Sequence, residues 1–242
     1  MSAAKPPQDI FATTRWTAVL TAGQSDSTRA KAALAELCQT YWYPLYAYVR
    51  RRGHQPADAE DLTQGFFERL LELQSLAGIT REKGKFRAFL LASMNHYLSD
   101  EWRRASAQKR SAQRTISLDA QEAEGRYAAQ SKDQTTPERL FEKQWALTLL
   151  DAVVNRLRRD YEEAGKGALF MELRFAIIGE KNAAPYTELA ARLGMNEETV
   201  RTAVHRLRKR YRQILTDEIA QTVTDASEIA AELDHLRRIF ST

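Results

Sequence analysis

The sequence predicts an all-α protein with two small helical domains joined by a linker. Apolar residues recur at helical spacing along most of the chain, and no segment shows the alternation of apolar and polar residues that is typical of a β-strand. The 242 residues include only 10 Gly and 6 Pro, which favours helices over a sheet with many turns. The expected limits are an N-terminal extension at 1–26, a first domain at 27–104, a linker at 105–136, a second domain at 137–215 and a helical extension at 216–242.

Three helices are expected in the first domain. The first carries an apolar stripe of Leu34, Leu37, Cys38, Tyr41, Leu45, Tyr48 and Val49. Gly53 ends this helix, and Pro56 opens the second. The third runs over about 85–104, with Phe86, Leu90, Met94 and Leu98 on its apolar face.

Periodicity disappears over 105–136, where Ser, Gln and Ala dominate, and this predicts a linker or mobile segment. Pro137 starts the next helix, and a shorter helix follows near 169–178. In the C-terminal extension, Asp225 is a predicted N-cap for a helix with an apolar stripe. The stripe consists of Ile229, Leu233, Leu236 and Phe240. We expect this helix to pack on its own domain, with docking on a regulator or a second copy as the alternative.

Composition excludes several classes of protein. Cys38 is the single cysteine, so neither an internal disulfide nor a cysteine-based metal cluster can form. No apolar run approaches the roughly 20 residues that span a bilayer. The first residues, MSAAKPPQDIF, lack the apolar core of a secretory signal. We expect a cytoplasmic protein with no membrane association, no metal and no cofactor.

Charge is unevenly distributed although the net charge is only +4. One cluster is acidic: Asp58, Glu60, Asp61, Glu68 and Glu72. Two are basic: Arg103, Arg104, Lys109, Arg110 and Arg114, then Arg201, Arg206, Arg208, Lys209, Arg210 and Arg212. Like-charged clusters repel themselves, so the pattern indicates a protein partner and a polyanion. The alternative is three solvated helix faces.

Residues 186–210 predict two helices joined by a tight turn. Gly194 is suited to the left-handed residue after the first helix, and Asn196 is a good N-cap for the second. Three apolar residues of the first helix, Leu189, Ala190 and Leu193, can pack on the second helix at Val200, Val204 and Leu207. This pattern resembles a helix-turn-helix, whose second helix enters the DNA major groove. The alternative is a helical hairpin with a solvated basic face.

The chain resembles bacterial sigma-70 family factors of the extracytoplasmic function group over about residues 30–215. The resemblance is carried by ADAEDLTQ at 57–64, FRAFL at 86–90, DEWRR at 100–104 and the C-terminal helix-turn-helix. It implies a factor that binds RNA polymerase core and promoter DNA, melting the −10 element and reading the −35 element.

The resemblance also implies site residues. The acidic motif would bind the polymerase core through Asp58, Glu60, Asp61 and Gln64. The −10 element would be contacted by Asn95, His96, Tyr97, Trp102, Arg103, Arg104, Lys109 and Arg110. The −35 element would be contacted by Thr199, Arg201, Thr202, His205, Arg206, Arg208, Lys209 and Arg210. Core packing is the alternative role for Tyr97 and Trp102.

Four positions depart from the usual pattern of that family: Thr63, Gly65, His96 and Ala203. Thr63 raises the hypothesis of a regulatory kinase, although a tolerated helix residue is the preferred interpretation. An anti-sigma factor is another possible partner. The alternative function is a stand-alone helix-turn-helix regulator, and an RNA-binding or adaptor protein is more distant. An enzyme is the least favoured class, because the sequence offers no paired carboxylates, nucleophile elbow or phosphate-binding Gly loop.

Overall fold

The computed structural model describes residues 28–72, 86–107, 118–130, 135–178, 185–223 and 225–241, and all regular secondary structure in these ranges is helical. The helices are α1 (Thr28–Arg51), α2 (Pro56–Glu72), α3 (Phe86–Ala107), α4 (Leu118–Gln130), α5 (Pro137–Glu163), α6 (Gly167–Leu173), α7 (Phe175–Ile178), α8 (Tyr186–Leu193), α9 (Glu197–Ala220) and α10 (Glu228–Phe240). The all-α prediction is confirmed. No helix in the described ranges is both long enough and apolar enough to cross a membrane.

The described residues form two compact units. The first contains those up to Leu147 together with those from Ala220 onward, and the second is Thr148–Ile219. The division therefore falls inside α5 and at the end of α9. It differs from the expected domain limits at 136 and 215.

The first unit is built on α1, α2 and α3, as the apolar stripes predict. α1 buries Tyr41, Leu45, Tyr48 and Val49. Gly53 adopts a φ of 95° between α1 and α2, a conformation that Gly reaches without steric cost. α2 begins at Pro56 as expected, and α3 buries its predicted face of Phe86, Leu90, Met94 and Leu98. Leu34, Leu37 and Cys38 have side chains outside those described.

The segment expected as a linker contains a helix, and there the prediction was wrong. α4 contacts α1 and α2 and buries Ala123 and Tyr127, which are four residues apart. Glu124 lies between them on the same helix and accepts hydrogen bonds from Arg50 Nε and Nη2, both at 2.7 Å, and from the Tyr46 hydroxyl at 2.8 Å. Polar anchoring of a short helix leaves almost no apolar periodicity to detect.

The C-terminal helix α10 belongs to the first unit rather than to the second unit, which precedes it in the chain. Asp225 does not cap it: its carboxylate accepts the Ser227 N–H at 2.7 Å, and the helix starts later, at Glu228. The expected apolar stripe is only partly inward, since Leu236 is buried while Phe240 is exposed. Glu232 is fully buried, and its ion pair with Arg87 of α3 offsets the cost of burying its charge.

The second unit contains the predicted pair of helices joined by a tight turn. Gly194 has a φ of 62°, and the Met195 N–H bonds the Ala190 carbonyl at 2.9 Å, so α8 ends in a Schellman motif. The Asn196 side chain accepts the Thr199 N–H at 2.7 Å and caps α9 as predicted. Leu193 is half-buried, and the other five predicted packing residues are buried: Leu189, Ala190, Val200, Val204 and Leu207.

Candidate functional site

An acidic surface runs along one side of α2. Asp58, Asp61, Gln64 and Glu68 are exposed and follow one another at helical spacing on the same face. We call these four residues the acidic face. Glu60 is only 6% exposed, and the Gln64 Nε2 approaches its Oε1 at 3.4 Å. Three of the four predicted core-contact residues therefore share one accessible surface, and Glu60 lies at its buried border.

Thr63 points away from the acidic face. Its side chain is fully buried, and its hydroxyl donates to the Ala59 carbonyl one turn earlier at 2.7 Å. A kinase cannot reach this hydroxyl in the described conformation. The burial favours a packed helix residue, the preferred interpretation of the sequence, over a regulatory phosphate acceptor.

Tyr97 packs between α3 and α2 rather than standing clear of them. Its ring meets that of Phe66 edge-on at 5.9 Å, and the Arg69 guanidinium lies 5.9 Å from its centroid. Burial raises the pKa of the Tyr97 hydroxyl above its usual value. A Cβ on residue 65 would lie 2.5 Å from the Tyr97 hydroxyl oxygen, so the glycine at this position permits the close approach. Sequence reasoning noted Gly65 as unusual but did not find this role.

The far half of α3 presents an aromatic and basic surface. Trp102 is 72% exposed, and Arg103, Arg104 and His96 are also exposed. Arg104 pairs with Glu101 on its own helix at 2.6 Å, an exposed contact that holds the guanidinium only weakly. Exposure of the Trp102 ring disfavours the core-packing alternative for this residue.

Asn95, like Tyr97, is a predicted −10 residue of this helix whose side chain is engaged inside the unit. Its Oδ1 accepts the Tyr48 hydroxyl at 2.6 Å and a further hydrogen bond from Arg52. Lys109 and Arg110, also predicted to contact DNA, lie outside the described residues.

Some side chains on the basic face of α9 are bound by other residues of the second unit, and the others are exposed to solvent. Arg201 pairs with Glu197 at 2.6 Å, Arg208 Nε donates to the Ala176 carbonyl at 3.1 Å, and Arg210 pairs with Asp160 at 2.6 Å. The remaining predicted −35 residues are exposed: Thr199, Thr202, His205, Arg206 and Lys209. Neither Arg206 nor Lys209 forms an ion pair with another described residue. The helix can thus present the cations Arg206 and Lys209 beside Thr199, Thr202 and His205.

The α1–α3 part of the first unit has a known counterpart. Residues 37–108 match the family model described as Sigma-70 region 2. This part of the chain is similar to sigma-70 region 2. The match includes all of α2 and α3, and with them the acidic face and the Trp102 surface. It supports a sigma-70 family sigma factor, and with it RNA polymerase binding and promoter melting. Neither a curated protein nor a solved structure matches the chain.

Proposed function

We propose that this protein is a cytoplasmic, non-enzymatic sigma factor of the extracytoplasmic function type. It binds RNA polymerase core, melts the −10 element and reads the −35 element. The observation that carries the proposal is the pairing of two accessible surfaces within the segment that is similar to sigma-70 region 2. These surfaces are the acidic face of α2 and the Trp102 end of α3.

The acidic face is suited to docking on a cationic protein surface. Asp58, Asp61 and Gln64 are exposed, so pairing them across an interface requires little rearrangement of the fold. Charges at the rim of an interface mainly set the association rate and the register. Glu60, being buried, contributes by holding Gln64 rather than by direct pairing.

The Trp102 surface is suited to an opened duplex. An exposed aromatic ring can stack on an unpaired base, which contributes about 1 to 3 kcal/mol per base. Arg103 and Arg104 flank the ring and can follow the phosphate backbone, because their ion pairs with Asp100 and Glu101 are exposed and easily exchanged.

The α9 helix is suited to duplex DNA. Arg206 and Lys209 can neutralise phosphates, while Thr202 and His205 offer hydrogen-bonding groups to base edges. The Schellman motif and the Asn196 cap fix the start of this helix, as a helix that enters a groove requires.

Run-off transcription with purified polymerase core tests the proposal. The wild-type protein is expected to initiate at a cognate promoter, and Trp102→Ala to reduce open-complex formation while leaving closed-complex binding unchanged. Absence of any core-dependent transcript would contradict the proposal.

Core binding separates a sigma factor from a stand-alone helix-turn-helix regulator, which has no use for the acidic face. Asp61→Lys is expected to weaken core affinity about tenfold, or about 1.4 kcal/mol, because the reversed charge would repel a cationic surface. Asp151→Lys makes the same charge change at an exposed position of α5 and serves as the control. Equal core affinity of both variants and the wild type would favour the regulator.

A further inference from the structure

The side-chain amide of Asn95 on α3 has its oxygen and its nitrogen in different surroundings. Oδ1 accepts the Tyr48 hydroxyl at 2.6 Å and a further hydrogen bond from Arg52 Nη1. An arginine side chain has only donors, so the amide atom that it contacts is the oxygen. No hydrogen bond among the described residues involves Asn95 Nδ2, and this nitrogen is not one of their buried polar atoms. The two N–H groups of Nδ2 are therefore open to solvent.

Arg52 holds its guanidinium beside this amide. It directly follows the end of α1, and its backbone N–H bonds the carbonyls of Tyr48 and Val49, each at 3.1 Å. Its guanidinium carbon lies 5.7 Å from the centre of the Tyr48 ring, and Nη1 donates to the Tyr48 hydroxyl at 3.1 Å. The nearby Glu138 Oε1 lies 3.5 Å from the same hydroxyl. The Arg52 side chain is exposed, and no carboxylate of the described residues forms an ion pair with it.

The Asn95 amide lies on the side of α3 that also carries Trp102. The two residues are seven positions apart, so they share a face and are separated by about 10 Å along the helix axis. A DNA strand that follows α3 from Trp102 toward the start of the helix therefore reaches Asn95 and the neighbouring Arg52.

We propose that Arg52 and Asn95 together bind a phosphate of the DNA strand that Trp102 engages, and this proposal rests on the sigma-factor function. Both side chains offer only donors here, because Asn95 Oδ1 is already occupied. Asparagine reads adenine with its amide oxygen and nitrogen together, so the occupied oxygen disfavours base reading. Phosphate oxygens accept charge-assisted hydrogen bonds from a guanidinium. The contact thus adds affinity for the strand without a sequence preference.

The test measures binding of holoenzyme, assembled from polymerase core and the full chain, to promoter duplexes with an opened −10 strand. Arg52→Gln is expected to weaken binding to all opened sequences about tenfold. It should also lower the slope of log affinity against log salt by about 0.7, the value for one phosphate contact of a single strand. Asn95→Asp keeps the oxygen that Arg52 contacts but removes both N–H groups and neutralises the guanidinium, so it should weaken binding at least as much.

Two variants control for the changes in charge. Arg159→Gln removes a guanidinium from an exposed position of α5, and Gln121→Glu converts an exposed amide of α4 into a carboxylate. Both are expected to bind DNA like the wild type. Fluorescence anisotropy across salt and across a library of opened sequences measures the affinities, and circular dichroism verifies the fold of each variant.

The outcomes distinguish this contact from the function on which it rests. A wild-type holoenzyme without affinity for promoter DNA would contradict both. If the wild type binds and Arg52→Gln and Asn95→Asp bind like the two controls, only the phosphate contact is overturned, and Arg52 merely complements the dipole at the end of α1. A loss confined to one base position would assign base reading to this pair and likewise overturn the phosphate contact alone.

Discussion

The hydroxyl of Tyr97 occupies the space that a side chain at Gly65 would need. The distance from the hydroxyl oxygen to an added Cβ is 2.5 Å, and the ring carbon behind it is at 3.6 Å, an ordinary contact. Gly65 therefore permits a close approach between α2, which carries the acidic face, and α3, which carries the Trp102 surface. A glycine inside a helix costs about 0.5 to 1 kcal/mol relative to alanine, so packing has outweighed helix propensity here.

Exchanging Gly65 for alanine is expected to change the free energy of unfolding in opposite directions in the wild type and in the Tyr97→Phe variant. In the wild type, Gly65→Ala should lower the free energy of unfolding by about 1 kcal/mol, because overpacking exceeds the gain in propensity. In Tyr97→Phe, which lacks the hydroxyl, the same change should be stabilising. Urea denaturation of the four proteins in the cycle measures both. Additive effects would show that the hydroxyl is not the obstacle.

Binding to DNA is expected to separate two kinds of α9 side chain. Lys209→Ala should weaken binding to all promoter duplexes alike and reduce the slope of affinity against salt by about 0.9 for one lost phosphate contact. Thr202→Ala should instead change the preference at one base position by about 1 to 3 kcal/mol. Fluorescence anisotropy across salt and across a promoter library distinguishes them. A uniform loss for Thr202→Ala would remove it from direct base reading.

Apolar periodicity predicted the parts of the fold that are held by apolar contacts. It predicted α1 to α3 and the α8–α9 pair. The turn between α8 and α9 was also predictable, because Gly194 and Asn196 act on neighbouring residues in the sequence. It missed α4 because Glu124 and Arg50 hold that helix, and charged anchors leave no apolar pattern. It misjudged the buried face of α10 for a related reason. A glutamate such as Glu232 is expected in solvent, and the sequence does not show that Arg87, which is distant along the chain, pairs with it.

For the candidate site, the sequence likewise predicted the types of residue better than the directions in which their side chains face. The acidic motif indicated a docking helix, but the side of that helix on which Glu60 and Thr63 lie depends on packing against other helices. The exposure of Trp102 also depends on tertiary structure, since an aromatic residue at that spacing suits either a core or a surface.

Burial of Thr63 leads to a prediction for its substitutions. Thr63→Val keeps the shape and loses only a hydroxyl bonded to the preceding turn, so transcription from a cognate promoter should remain near wild type. Thr63→Glu would place a carboxylate in a fully buried position and should destabilise the unit by several kcal/mol. Run-off assays with parallel thermal melts measure both. Loss of activity in Thr63→Val with rescue in Thr63→Glu would instead make this position a phosphorylation switch.

The anchor of α4 should make stability depend on pH in a defined window. Hydrogen bonds from Arg50 hold the pKa of Glu124 below its ordinary value of 4.5 in the folded state. The unfolded chain therefore binds a proton at this residue more readily than the folded chain does. The stabilisation is fully present above the unfolded pKa and is lost as the pH falls through the lower, folded pKa.

A comparison with Glu124→Gln isolates this contribution. The amide does not titrate, so the difference in unfolding free energy between the wild type and Glu124→Gln should be largest at neutral pH and shrink below about pH 4.5. Glu122→Gln, a change at an exposed position of the same helix, is the matched control. Its difference in unfolding free energy from the wild type should not shrink in this way at low pH. Equal pH dependence of all three proteins would mean that the Arg50 contact does not hold α4 against the first unit in solution.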